Sequence, residues 1–201
     1  MYTSRAYLKN QLYTLSRYTG LNFRAMGTNI KYKNGFYGDG ILSKFPIEYS
    51  ANYLSPLTDK THEQRGILCN KISFGNTKIN VFSLHMSTFE DERILTAKEL
   101  LKITSKINKG ESIIIGGDFN VGISKIGTHQ YQFEQKDKYR EYEILKERFK
   151  HIDNTQKTWN STEGSGCIDT FFYSKNLNLI KYHTIITDIS DHYPVYAEFL
   201  I

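Results

Sequence analysis

Cysteine and proline are both scarce, with two of the former and three of the latter in 201 residues. Cys69 and Cys167 lie far apart and form neither a C-x-x-C pair nor a Cys/His cluster, which excludes a disulfide framework and a structural zinc site and predicts two unlinked thiols. The few prolines leave no room for a stiff proline-rich linker. No run approaches the roughly 18 apolar residues a membrane-spanning helix requires, and the opening MYTSRAYLKNQ lacks the apolar centre of a secretory leader. A soluble chain with the cytoplasm as its default compartment is therefore expected. Without repeats, low-complexity tracts or linkers, residues 1–201 are expected to form one domain.

Aromatic residues are plentiful. Fifteen tyrosines and twelve phenylalanines, within a hydrophobic share of 39%, give enough apolar surface for a packed core and exclude a disordered chain. The 26 Lys and Arg outnumber the 21 Asp and Glu, for a formal charge of +5, which favours an anionic partner without naming one. An AT-rich coding bias would give the same excess of Lys, Asn, Ile and Tyr, and the charge would then serve only solubility.

Leu8, Leu12 and Leu15 recur at helical spacing after Thr3 and Ser4, and Gly20 offers a left-handed stop, so an amphipathic opening helix is predicted. LNFRAM, GDGILSKFPI, RGILCNKISF and TKINVFSLHMS read as strands, the last two joined at Gly75-Asn76 as a hairpin. From Glu90 to Ile107 acids fill the first turn, and Ile94, Ala97, Leu100, Leu101, Ile103 and Ile107 make one broad apolar face of a helix closed by Lys109-Gly110. IIIGGDFN is a strand followed by a polar loop. A charged helix around Tyr139 to Lys150 has Tyr142, Leu145 and Phe149 as its inner face. CIDTFFYS, LIKYHTIITD and YPVYAEFLI end the chain as strands. Strands alternating with helices predict sheet layers covered by helices, an α/β sandwich.

Polar residues gather where these strands end. Side chains two apart on a strand point the same way, so Asp118 and Asn120 project together with Phe119 facing the core. Gly116 and Gly117 before them have no side chains and admit a substrate or a neighbouring loop close to the backbone. A tight turn also uses G-D-x-N, with both side chains bonded to local backbone. A calcium loop of the EF-hand kind is excluded, since its later acidic positions are missing. His85 ends INVFSLH, Ser190-Asp191-His192 precede YPVYAEFLI, and Asp169 sits between Ile168 and an aromatic strand. A carboxylate buried there needs a partner such as an imidazole N–H.

Six blocks, YGDGILSKFPI, EQRGIL, VFSLHMS, IIIGGDFN, IDTFFYS and SDHYPVYAEF, in this order and spacing, resemble the successive motifs of the endonuclease/exonuclease/phosphatase superfamily. The resemblance runs from about Thr3 to the C-terminus. It implies a four-layer α/β/β/α sandwich, two mostly antiparallel sheets flanked by helices, whose strand-end loops hydrolyse phosphate esters with a divalent metal, magnesium or manganese. Carried over residue by residue, it makes His192 the general base and Asp169 the carboxylate that orients it. Asp118 would position water or bind metal, Asn120 and His85 would hold phosphate oxygens, and His85 would also serve as a proton donor to the leaving oxygen. The metal would be held by Asp118, Asn120 and Asp191.

Family members also carry, before the first helix, a strand with an asparagine and another ending in a Gln-Glu pair whose glutamate is the principal metal ligand. This sequence opens at the helix that follows, so an N-terminally incomplete domain is expected, with feeble magnesium binding until the upstream segment is restored. The alternative to an active phosphodiesterase is an impaired remnant that binds nucleic acid or a protein without catalysis. The histidine in LHMS resembles the deoxyribonuclease-like and lipid or small-phosphate branches. The partner is a phosphate ester acted on by a monomer, nucleic acid being one class, towards which the pI near 9.0 and the Lys and Tyr of NIKYKNGFYG lean.

Overall fold

The computed structural model describes residues 1–4, 7–125, 131–153, 155–161 and 164–201. The chain opens with α1 (Gln11–Thr19), β1 (Phe23–Tyr32), β2 (Gly35–Ser43), β3 (Ile47–Leu54), β4 (Gly66–Phe74) and β5 (Thr77–His85). The helix α2 (Glu90–Thr104) leads to β6 (Ser112–Asp118), β7 (Ile123–Lys125), β8 (Tyr131–Phe133) and α3 (Arg140–Lys146). Then come β9 (Lys150–His151), β10 (Trp159–Ser161), β11 (Gly164–Gly166), β12 (Asp169–Tyr173), β13 (Asn178–Thr184) and β14 (Val195–Leu200).

The principal sheet has the order β3-β4-β5-β6-β12-β9. Its neighbours pair antiparallel except β5 and β6, which run parallel. A parallel pair needs a crossover, and α2 supplies it. One face of this sheet, with Ile67, Cys69, Phe82, Leu84, Ile113, Ile115 and Phe172, packs against Ala97, Leu100 and Ile103 of α2 and Tyr142 and Leu145 of α3 to form the main core. Burying each large apolar side chain there contributes roughly 1.5–3 kcal/mol. On the opposite face lie two hairpins. β1 and β2 pack over β3 and β4, while β14 packs over β12, closing a second core of Ile152, Tyr173 and Leu177. The helix α1 covers β1 and β2 from outside. The layers are thus helices, six-stranded sheet, hairpins and helix, the expected sandwich. Among the described residues the second sheet is two separate hairpins and not one continuous ladder.

Several local expectations hold. Gly75 adopts φ 57 in the two-residue turn between β4 and β5, as that tight connection demands. Gly20, at φ 71, caps α1, and Tyr142, Leu145 and Phe149 are buried. Others shift. α1 starts only after Asn10, whose side chain accepts a hydrogen bond from the backbone of Tyr13, and Leu8 lies outside the helix at φ 56. The second charged helix stops at Lys146, because Lys150 and His151 pair with β12. Part of the polar loop after β6, residues 126–130, lies outside the described residues. Neither cysteine is in a disulfide, and among the described residues no helix is long and apolar enough to cross a membrane.

The two glycines ending β6 are required by packing. A Cβ on Gly116 would stand 2.6 Å from the Phe171 ring, and one on Gly117 would stand 1.9 Å from the Leu84 carbonyl oxygen of β5. The close neighbours are thus an aromatic ring and a paired strand, where the sequence suggested a substrate or loop. Gly117 also has φ +146, a conformation alanine rarely adopts. Gly117→Ala is expected to lower stability by roughly 1–3 kcal/mol, read as a lower urea midpoint. An unchanged midpoint would show that the strands can part at no cost.

Candidate active site

Strand register assembles the site. His85 pairs with Asp118 across the parallel β5–β6 ladder, and Asp118 pairs with Asp169 across β6–β12. Residues directly opposite on adjacent strands point to the same face, so the three side chains form one row on the hairpin side of the sheet. This row stands at the carboxyl ends of the parallel pair, where open α/β sheets place their ligands. The fourth member, His192, comes from the β13–β14 connection.

That connection is anchored on both sides of His192. Asn160 N–H donates to the Asp191 carbonyl at 2.8 Å and Tyr193 N–H to the Thr158 carbonyl at 2.7 Å, while Trp159 and His192 form an isolated bridge. The hydroxyl of Thr158, fully buried, accepts from the backbone N–H of Ile168 at 3.0 Å and of Asp169 at 2.9 Å. One residue therefore fixes the backbone of both partners of the His192–Asp169 pair.

The imidazole Nδ1 of His192 lies 3.0 Å from Asp169 Oδ2, and its Nε2 is 4.0 Å from Asp118 Oδ2. On the other side of Asp118, His85 Nε2 lies 3.2 Å from the same oxygen. The hydrogen bond to Asp169 raises the His192 pKa to about 8, against the opposing effect of burial. Burial, and then the charge of Asp169, pushes the Asp118 carboxyl well above its usual range. His85 is held well below the usual imidazole range, first by burial and then by the Arg65 guanidinium.

Asp118 and Asn120 follow both sequence readings in part. Asp118 Oδ1 accepts from Asn120 N–H at 2.8 Å, a tight turn with Asn120 at φ 50. Phe119 is fully buried as expected, and its N–H donates to the Ile168 carbonyl. Asn120 Nδ2 donates to the Met86 carbonyl at 2.8 Å, and Met86 N–H donates to the Asp118 carbonyl, which ties this turn to the residue after His85. Asp191 lies apart. Its side chain is exposed and borders an open groove of about 910 Å³ with Asn160, Ile186 and Tyr193.

Among the described residues, one set of acidic and imidazole ligand atoms converges, that of Asp118, Asp169 and His192, all within 4.8 Å of one another. The donors suit a hard divalent cation in one respect: Asp118 is a nearly buried carboxylate crowded by a second one, and a cation would offset that crowding. Asp169 is already engaged by His192, so Asp118 is the carboxylate available for such an ion.

Sequence reasoning assigned no role to Arg65, Asp39 or Thr158. Arg65 Nη1 lies 2.8 Å from His85 Nδ1. Asp39 accepts from Asn29 Nδ2 at 3.0 Å, and its pKa is raised to about 6, chiefly by burial. The only signal for these was a charged residue beside an apolar strand in two of the quoted blocks. For Thr158 there was none.

The sequence profile of the Endonuclease/Exonuclease/phosphatase family matches residues 4–192. The uncharacterized protein YbhP of Escherichia coli (strain K12) is 30% identical over 98 residues, which cover 48% of this chain and 38% of YbhP, well under two thirds of that protein. Among solved structures, Bacteroides thetaiotaomicron mannosyl-6-phosphatase is 16% identical with a TM-score of 0.66, over 95% of this chain and 81% of that one. D. rerio TDP2 complexed with single strand DNA product is 15% identical with a TM-score of 0.69, over 96% and 83%. At these identities the two structures show a shared fold.

Proposed function

The chain belongs to the endonuclease/exonuclease/phosphatase family, and from that premise we propose that it is a metal-dependent hydrolase of phosphate esters with His192 as its general base. One observation carries the reading: His192 gives its Nδ1 to Asp169 at 3.0 Å and turns its Nε2 towards Asp118. With Nδ1–H donated to a carboxylate, the neutral ring keeps its lone pair on Nε2, and Asp169 stabilises the imidazolium formed when a water proton is taken. Asp118, Asn120 and His85 surround the place where the phosphoryl group would sit. His85 acts there as a neutral N–H donor, which its depressed pKa favours over proton donation.

Magnesium or manganese is the proposed cofactor, held by Asp118 with the Asn120 amide oxygen. Bound, it would neutralise charge developing on phosphate oxygens. Asp191, on the groove wall, fits contact with substrate better than membership of the same coordination shell. Supporting the substrate class are the family match and the fold shared with a phosphatase and with a protein solved with a DNA product. The choice among sugar phosphate, nucleic acid and lipid phosphate rests with the loops.

The test is turnover of a phosphodiester and a phosphomonoester chromogen by the purified protein with magnesium, with manganese and with a chelator. Release with either metal that stops on chelation is the expected result. Equal release under chelation would overturn the metal requirement, and no release of any chromogen in any condition would overturn the hydrolase reading.

A further inference from the structure

We infer that Arg65 is a positioning residue that fixes the tautomer of His85, so that the two histidines flanking Asp118 both turn Nε2 towards it, one as an N–H donor and the other as a base. A guanidinium nitrogen can only donate, and arginine does not lose its proton in proteins. The 2.8 Å contact from Arg65 Nη1 to His85 Nδ1 therefore makes Nδ1 the acceptor. The single ring proton must then sit on Nε2, which faces Asp118 Oδ2 at 3.2 Å, so acceptor and donor match at both ends of the ring. The other tautomer would set N–H against N–H at Arg65 and a lone pair against a carboxylate at Asp118.

Arg65 is built for this task. Its side chain is 13% exposed, and Nη1 is also ion-paired with Glu63 Oε1 at 2.9 Å, which holds the guanidinium charge beside the imidazole. Its backbone carbonyl accepts from Ser55 N–H at 2.9 Å and from Gln64 Nε2 at 2.8 Å, which pins the segment just before β4. The guanidinium is thus fixed from main chain and side chain before any substrate arrives, as preorganised sites require.

A division of labour between the histidines follows from what stands behind each Nδ1. Behind His192 is a carboxylate, which draws the proton to Nδ1 and leaves Nε2 as a base. Behind His85 is a guanidinium, which repels the proton from Nδ1 and leaves Nε2–H as a donor. The tautomer is independent of the phosphoesterase reading. Its catalytic consequence, a donor held against a phosphate oxygen, rests on that reading.

Long-range ¹H–¹⁵N correlation of the histidine rings tests the assignment without any substrate, the His85 signals being identified by their loss in His85→Gln. The wild-type protein is expected to show His85 protonated on Nε2 alone. In Arg65→Met, which offers no donor, the proton should redistribute towards Nδ1, and kcat on the best chromogen should fall on the order of 10- to 100-fold with KM changed far less. Retention of the pure Nε2–H form in Arg65→Met would overturn the proposal. So would a wild-type His85 protonated on Nδ1 or on both nitrogens, a result that needs no variant to fold. An Nε2–H ring with no turnover would leave the tautomer standing and count against the hydrolase alone.

Discussion

Replacing His192 with alanine is expected to reduce phosphoester turnover by roughly 10²- to 10⁴-fold, the usual cost of losing a general base. The fold should survive, because the His192 side chain is 34% exposed and its segment is held by backbone bonds to Thr158 and Asn160. Thermal unfolding measured beside kcat separates the two effects. A companion variant, Asp169→Asn, tests the mechanism by its sign. The hydrogen bond to Asp169 is the largest cause of the raised His192 pKa, about 8, so the base form fills only as pH rises towards that value, and kcat/KM should climb with pH up to it. An amide in place of the carboxylate stabilises imidazolium less, so the acidic limb should move to lower pH while the plateau rate falls. Near-wild-type turnover of His192→Ala, or a limb that stays in place in Asp169→Asn, would remove His192 from the role of base.

What the sequence disclosed about this site was its parts and not their register. His85, Asp118 and Asp169 could each be placed at a strand end because an apolar run stopped beside a polar residue. That β5 and β6 run parallel, and that this brings His85 level with Asp118, depends on pairing between segments separated by α2, which no local periodicity encodes. Arg65 was missed for the same reason, since its contact with His85 crosses from the segment before β4 to the end of β5. Elements with a strong local signal were legible: the apolar face of α2, the Gly75 turn and the inner face of α3. β3 was not read from IEYSANYL. It is an edge strand, mostly exposed or half-buried along its length, and so lacks the clean alternation that reveals a strand with one buried face.

The largest stability effect is expected from a pair whose chemistry the site does not use. Arg93 on α2 and Glu141 on α3 join through Nε and Oε1, with side chains 4% and 1% exposed. Taking two charges out of water is costly, and removing one partner leaves the other buried without compensation, which typically costs about 3–5 kcal/mol. Arg93→Met should therefore destabilise by about that amount, a large part of the roughly 5–15 kcal/mol that domains possess, and should lower Tm by roughly 6–20 °C at this chain length. The double variant Arg93→Met/Glu141→Leu removes both charges and should regain most of the loss, since well-packed apolar replacements of buried pairs are often neutral or better. Turnover at a temperature where each variant is folded should not recover in parallel. Arg93 Nη1 also donates to the carbonyls of Ser87 at 3.3 Å and Ile123 at 3.4 Å, which follow His85 and Asn120 in the chain, and methionine can make neither bond. Urea midpoints and kcat for the two variants check both halves. A double variant as unstable as the single one would place the energy in those carbonyl bonds and not in the ion pair, whereas full recovery of turnover would mean that Arg93 supports the helices alone and leaves the catalytic loops to hold themselves.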